Sequence, residues 1–309
     1  MKCLIAIVGP TAIGKSQLAM YLSRLLDEEI IGADSRQVYR YMDIGTAKPS
    51  LTDRRLVPHH LIDIINPDDA FSLAIYLQSA QEKIKDIQQK NKLPLLVGGS
   101  GLYVRAIVEG WTIPTAPPNY QLRQALEDEA TWQGNAVLYE KLERIDPLSA
   151  QKIAPTNTRR IIRALEIYHA TGQAPSTLQN KKPPDFPVLI IGLTAERADL
   201  YRRIDCRVDN MMEKGLVKEV NLLAEKGYSS SLPAMSSVGY RQIGDFLQGR
   251  LSLPLAIEQV KYETHRLARR QYAWFRLDNN KIHWLNADDG ELEIKAGDLI
   301  KRFLQNEVL

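Results

Sequence analysis

Two cysteines in 309 residues, Cys3 and Cys206, are too few for a disulfide framework, and no Cys/His group has metal-ligand spacing. A reducing, cytoplasmic compartment is the expectation. No apolar run reaches the length of a membrane-spanning helix, and the first residues hold neither a basic region nor a cleavage site, so no membrane segment and no secretory leader are expected. Internal repeats and low-complexity tracts are missing as well. So is any large charge imbalance: 40 Lys and Arg against 37 Asp and Glu leave +3, which permits a nucleic-acid partner without arguing for one. What is present is the composition of an ordinary globular protein, 44% hydrophobic and 25% charged, long enough for one large or two modest domains.

The strongest local signal is at the start. Leu4 to Val8 is an apolar run that passes directly into Gly9-Pro10-Thr11-Ala12-Ile13-Gly14-Lys15-Ser16, which fits G-x-x-x-x-G-K-[ST]. Glycines let backbone N–H groups curl around a phosphate, and the helix that follows aims its positive end at the same anion. Lys15 supplies a charge for terminal phosphate oxygens, and the Ser16 hydroxyl is a candidate Mg²⁺ ligand. The pattern names a phosphate or diphosphate site but not the compound.

Glu29 to Ala33 reads as a second buried strand that delivers Asp34 to the crevice outside the carboxyl ends of a parallel sheet. Asp34 fits a helix N-cap or a Mg²⁺ partner as well as a catalytic role. Ser35-Arg36-Gln37-Val38-Tyr39 and Asp43 to Pro49 follow as polar loop. His59 to Ile65 suggests a short strand with Asp63 inside it, and Ser72 caps an amphipathic helix to Lys90. Pro94 to Val97 is another buried strand, ending in Gly98-Gly99-Ser100-Gly101, a turn where backbone can approach a ligand closely.

From Pro114 the pattern changes. Three helical stretches, near Tyr120–Trp132, Ala136–Ile145 and Thr158–Thr171, come with no strand between them, before a proline-rich link and a returning strand at Val188 to Leu193. This reads as an α/β core interrupted by a helical insertion. Arg159, Arg160 and Arg163 share a helical face, open to solvent or paired with Glu166. Arg203 and Arg207 lie four apart on a later helix and could converge on an anion, or form salt bridges. A helix from Ile257 to Leu277 interleaves basic residues, among them Arg269 and Arg270, with aromatics suited to phosphate contact and base stacking.

Seven blocks together make the chain resemble the tRNA dimethylallyltransferase family over essentially its whole length: GPTAIGKS (9–16), DSRQVY (34–39), MDIGTAKP (42–49), GGSGLY (98–103), NTRRIIRALEIYHATG (157–172), VGYRQ (238–242) and RRQYAWFR (269–276). Ile13 departs from the small polar residue usual there, and Ser16 and Ser100 stand where threonine is also common. The resemblance implies a P-loop NTPase-like parallel sheet with helices on both faces, over 1–115 and 188–309, and an all-α insertion over 116–187 that binds the tRNA anticodon stem-loop. It implies transfer of a dimethylallyl group from dimethylallyl diphosphate to N6 of the adenosine immediately 3′ of the anticodon, in tRNAs reading codons that begin with U. Asp34 would accept the amine's proton. Thr11 and Arg207 would act on the diphosphate held by Gly9 to Ser16 with Mg²⁺, and Arg203 would assist. The tRNA contacts implied are Asp34, Ser35, Arg36, Gln37, Ser100, Arg123, Arg159, Arg160, Arg163, Arg241, Arg269 and Arg270, in a monomer.

Two other classes fit parts of the pattern. A small-molecule kinase shares the P-loop core but leaves the helical insertion unexplained. A GTPase-like switch lacks its guanine signature, since Asn91-Lys92-Leu93-Pro94 has no aspartate in place.

Overall fold

The computed structural model describes residues 2–114, 116–178 and 180–305 and divides into two compact units, 1–108 with 184–309 and 109–183. The expected core limits at Thr115 and Leu309 lie outside the described residues.

In the first unit six strands form one parallel sheet: β1 (Leu4–Val8), β2 (Glu29–Gly32), β3 (His59–His60), β4 (Pro94–Gly98), β5 (Val188–Thr194) and β6 (His283–Asn286), in the order β3-β2-β4-β1-β5-β6. Every residue of β1 is buried. Ile5 and Ile7 join one core with Leu18 and Leu22 of the helix Lys15–Leu26 and Ile300 of the helix Leu292–Leu304. Leu4, Ala6 and Val8 point to the other face and are equally enclosed, so the strand is covered on both sides by helices. That explains an unbroken apolar run where a half-exposed strand would alternate. No helix among the described residues is long and apolar enough to cross a membrane.

Two expectations change. The strand at His59 stops at His60, because Leu61 and Asp63 have φ of 62° and 56° and break the extended backbone. Asp63 therefore lies in a loop, paired with Lys48 and Arg54. The basic helix runs over Leu253–Trp274, starting earlier than its charges suggest, with Pro254 in the first turn, where a missing N–H costs nothing.

The second unit has its own core. Helices Tyr120–Gln133, Asn135–Ile145 and Thr158–Thr171 pack Leu126, Leu138, Leu142, Ile161 and Leu165 together. Beside this core lies Glu166, 0% exposed. Its carboxylate accepts two bonds from Arg123, at 2.8 Å each, one from Arg163 and one from the Asn119 N–H at 2.7 Å. Burial pushes its pKa up, but the bonds to Arg123, Arg163 and Asn119 outweigh this and hold it below the ordinary glutamate value. The structure thus commits Arg123 and Arg163 to Glu166, and leaves Arg159 and Arg160 as the exposed guanidiniums of that group.

Removing the carboxylate strands two partly exposed cations, Arg123 and Arg163, beside the insertion's core and leaves a buried cavity. We expect Glu166→Ala to destabilise the insertion by about 3–5 kcal/mol, read as hydrogen-exchange protection lost in 116–178 and kept in the sheet. Because the folded-state pKa of Glu166 is depressed, this stabilisation is present above about pH 4.5 and lost as pH falls through the folded value. Glu28 behaves in the opposite sense. It is 2% exposed, neither oxygen has a hydrogen-bond partner, and burial raises its pKa from 4.5 to about 8. Its contribution declines as pH rises from 4.5 to 8, so Glu28→Gln is expected to raise Tm at pH 9 relative to the parent and to change it little at pH 4.5.

Candidate active site

Strand order decides what can meet. β4 pairs with both β1 and β2, and the registers Val8↔Gly98 and Gly32↔Val97 end the three strands nearly level. The P-loop after β1, Gly99–Ser100 after β4 and Asp34 after β2 therefore emerge side by side, as ligand sites do at the carboxyl edge of open α/β sheets. They line one cavity of about 560 Å³. Its lining includes Thr11, Asp34, Arg207, Arg241, Arg270 and Trp274. A second cavity, about 630 Å³, lies alongside and shares Arg207 and Met211 with the first.

The loop glycines are required locally. Gly9 has φ 142°, and a Cβ there would fall 2.6 Å from the Leu193 carbonyl oxygen; Gly14 caps the helix Lys15–Leu26 at φ 101°. Ile13 is 1% exposed and joins the sheet core, so its departure from a polar residue fills a packing position.

Positive charge is concentrated here. Lys15 Nζ donates to the Pro10 carbonyl at 2.6 Å, and Arg207 Nη1 approaches Thr11 Oγ1 at 3.4 Å. Burial and then the charge of Arg207 lower the Lys15 pKa from 10.5 to about 7, with Asp34 offsetting part of the shift. Burial lowers Arg207 as well, again opposed by Asp34. Asp34 is partly buried, and its Oδ1 accepts the Arg36 N–H at 2.8 Å. Two cations around a carboxylate, at the rim of a phosphate-type loop, form a site for a polyanion beside a proton acceptor.

The remaining expected residues divide. Ser35 donates its N–H to Ser100 Oγ at 3.0 Å, and both line the cavity with Arg36, whose guanidinium donates to the Pro233 carbonyl. Gln37 instead braces its own loop through the Thr46 and Ala47 carbonyls. Arg269 donates to Tyr201 Oη at 2.7 Å. Arg203 and Arg207 have different partners, Asp288 eighty-five residues away in sequence and the P-loop Thr11, while both line the second cavity.

Two residues carry weight that the sequence did not announce. Glu219 accepts the N–H groups of Asp43, Ile44 and Gly45, at 3.0, 2.8 and 3.2 Å, and the Tyr240 hydroxyl at 2.6 Å, so it joins the MDIGTAKP and VGYRQ blocks. Gln271, 9% exposed, bonds to the P-loop.

A family model described as IPP transferase matches residues 37–278. The chain belongs to the IPP transferase family. The tRNA dimethylallyltransferase of Roseiflexus castenholzii is 50% identical over 299 residues, 97% of each chain. That of Dehalococcoides mccartyi is 45% identical over 301 residues, 97% of this chain and 92% of the relative. Among solved structures, the full-length tRNA isopentenylpyrophosphate transferase of Bacillus halodurans is 38% identical, covers 99% of this chain and 97% of its own, and superposes with TM-score 0.73. A eukaryotic dimethylallyltransferase described as acting on tRNA is 27% identical, with 100% and 81% covered and TM-score 0.87.

For an IPP transferase the metal question narrows. Among the described residues no three His, Cys, Asp or Glu side chains group as a metal site. Mg²⁺ does not need one, since it takes one or two protein oxygens and completes its shell with phosphate oxygens and water. The exposed Ser16 hydroxyl, in the first turn after the P-loop, fits that role.

The lowered Lys15 pKa makes anion binding pH-dependent. A bound diphosphate restores the lysine's proton affinity, so binding takes up a proton above pH 7 and weakens by about tenfold from pH 6 to pH 8 through this group. Calorimetry of inorganic pyrophosphate added as a probe, in buffers of different ionisation enthalpy, should show proton uptake at pH 8 in the parent, and that fraction should vanish in Lys15→Met.

Proposed function

We propose that the protein transfers a dimethylallyl group from dimethylallyl diphosphate to N6 of an adenosine, the one immediately 3′ of the anticodon in tRNAs that read codons beginning with U. The observation that carries this reading is the sharing of one cavity by the Asp34 carboxylate and the Thr11–Arg207 anion site. A kinase core would share the loop. The relatives of this chain, named as tRNA dimethylallyltransferases over nearly its whole length, favour the prenyl donor.

The residues divide the chemistry between them. Lys15, Arg207 and the P-loop bind the diphosphate and face the charge that grows on it as the allylic C–O bond breaks, where electrostatic stabilisation is most effective. Mg²⁺ held at Ser16 would add further neutralisation of that charge. Asp34, with Oδ1 fixed by the Arg36 N–H, has Oδ2 for the proton of the attacking exocyclic amine. The acceptor base must leave the anticodon stack to reach this depth. Ser35, Arg36, Ser100, Arg241, Arg270 and Trp274 form the walls it would meet. Arg159 and Arg160, exposed on the insertion, are the residues this reading assigns to tRNA phosphates. The reading takes the protein to act as a cytoplasmic monomer.

With labelled dimethylallyl diphosphate, Mg²⁺ and tRNA lacking the modification, label is expected in tRNA and not in free AMP. Asp34→Asn should lower the rate by about 10²–10⁴ while tRNA affinity stays within about threefold. Release of γ-phosphate from ATP, with no label reaching RNA, would sink the reading.

A further inference from the structure

We propose that Gln271 is a positioning residue that sets the P-loop against the Asp34 loop, and so aligns the donor and acceptor sides of the site. The inference rests on the transferase reading. It comes from one buried side chain amide that binds two separate catalytic loops at once.

Gln271 Oε1 accepts the Thr11 N–H at 2.8 Å, and its Nε2 donates to the Gly99 carbonyl at 3.0 Å. A donor on one side and an acceptor on the other fix which way the amide faces. From Gly99 the connection runs on. Ser100 donates its N–H to the Ala33 carbonyl at 3.1 Å, and its hydroxyl accepts the Ser35 N–H at 3.0 Å, on either side of Asp34. On the other side, the Thr11 hydroxyl stands 3.4 Å from Arg207 Nη1. Hydrogen bonds and the short stretches of chain between them thus join Arg207 and the P-loop to the backbone on either side of Asp34, and Gln271 is the middle link.

The local packing is built around this link. A Cβ on Gly99 would fall 2.2 Å from Gln271 Nε2, and one on Gly101 would fall 2.2 Å from the Trp274 ring. Both glycines therefore admit side chains of the helix Leu253–Trp274. Gly99 has an ordinary φ, so the main bar to alanine there is the glutamine, with the Gly9 carbonyl oxygen next at 3.2 Å.

Positioning and mere packing differ in what they disturb. Misplacing two correctly bound reactants by about 1 Å costs about a hundredfold in rate without touching either affinity. Gln271→Ala should therefore lower kcat by about a hundredfold, with inorganic pyrophosphate Kd, tRNA Kd and Tm each close to the parent. Gln271→Glu keeps the acceptor for Thr11 but sets a carboxylate oxygen against the Gly99 carbonyl, and should lose at least as much kcat as Gln271→Ala. Gly99→Ala pushes the unaltered glutamine away and should match Gln271→Ala. The double variant Gly99→Ala/Gln271→Ala should be no worse than Gln271→Ala alone, because the clashing amide is gone. Should Gln271→Ala not fold, Gly99→Ala and Gln271→Glu carry the test, with the same kcat-selective loss expected.

A kcat within about threefold of the parent, a parallel loss of pyrophosphate affinity, tRNA affinity and Tm, or additive effects in the double variant would each overturn the role. Parent protein assayed alongside separates the two failures. No transfer by the parent removes the transferase reading and this role with it, whereas full transfer by both parent and Gln271→Ala removes only the role.

Discussion

The site depends on β4 lying between β1 and β2. Parallel strands sit about 4.8 Å apart, so the strand carrying the P-loop and the strand carrying Asp34 are separated by about 10 Å. In the proposed reaction that gap would take a diphosphate on one side and a reacting amine on the other, with the Gly98–Gly101 turn between them. The level ending of the three strands, through Val8↔Gly98 and Gly32↔Val97, turns a chain order into a cavity. Gly98 makes the approach tight: a Cβ there would lie 2.1 Å from the Ala33 carbonyl oxygen. A side chain at that position would wedge the Asp34 loop away from its neighbours.

Electrostatics then gives this geometry its direction. Burial disfavours the charged forms of Lys15 and Arg207, and their proximity lowers the lysine further. Asp34 offsets only part of this, so the fold holds cationic groups in a place where solvent does not stabilise them. Such groups gain most when negative charge develops nearby, because their orientation is already fixed. The same carboxylate that favours the two cations is the proton acceptor of the proposed reaction.

How much of this could be read in the sequence follows from the distance over which each feature is encoded. The P-loop was legible because its whole pattern lies within eight residues after a buried strand, and the insertion's helices because 3.6-residue periodicity is local. The pairing of Arg203 was not legible. It rests on Asp288, in a turn that follows the sixth strand, and no spacing on the arginine's own helix reports it. Glu219 was invisible for the same reason, since the three N–H groups it binds are about 175 residues away in sequence. Asp63 was misplaced because positive φ at Leu61 and Asp63 belongs to residues with ordinary strand or loop propensities.

The glycines after β4 show where local reasoning reaches its limit. A glycine-rich turn after a strand is consistent with close approach by a ligand, and the cavity does include Gly99 and Gly101. The nearest atoms, however, belong to Gln271 and Trp274, on a helix whose position only the folded chain reveals. The absence of a side chain serves the docking of that helix before it serves any ligand. This shifts the weight of the RRQYAWFR segment. Read as a sequence, it is a run of basic and aromatic residues facing RNA, and Arg270 and Trp274 do reach the cavity. Arg269 turns to Tyr201, while Gln271 both lines the cavity and braces the P-loop against Gly99, so the segment lines the site and braces it at once. The helix is linked to the P-loop through Gln271, so in the proposed reaction the wall that meets the base and the brace on the leaving-group side belong to one element.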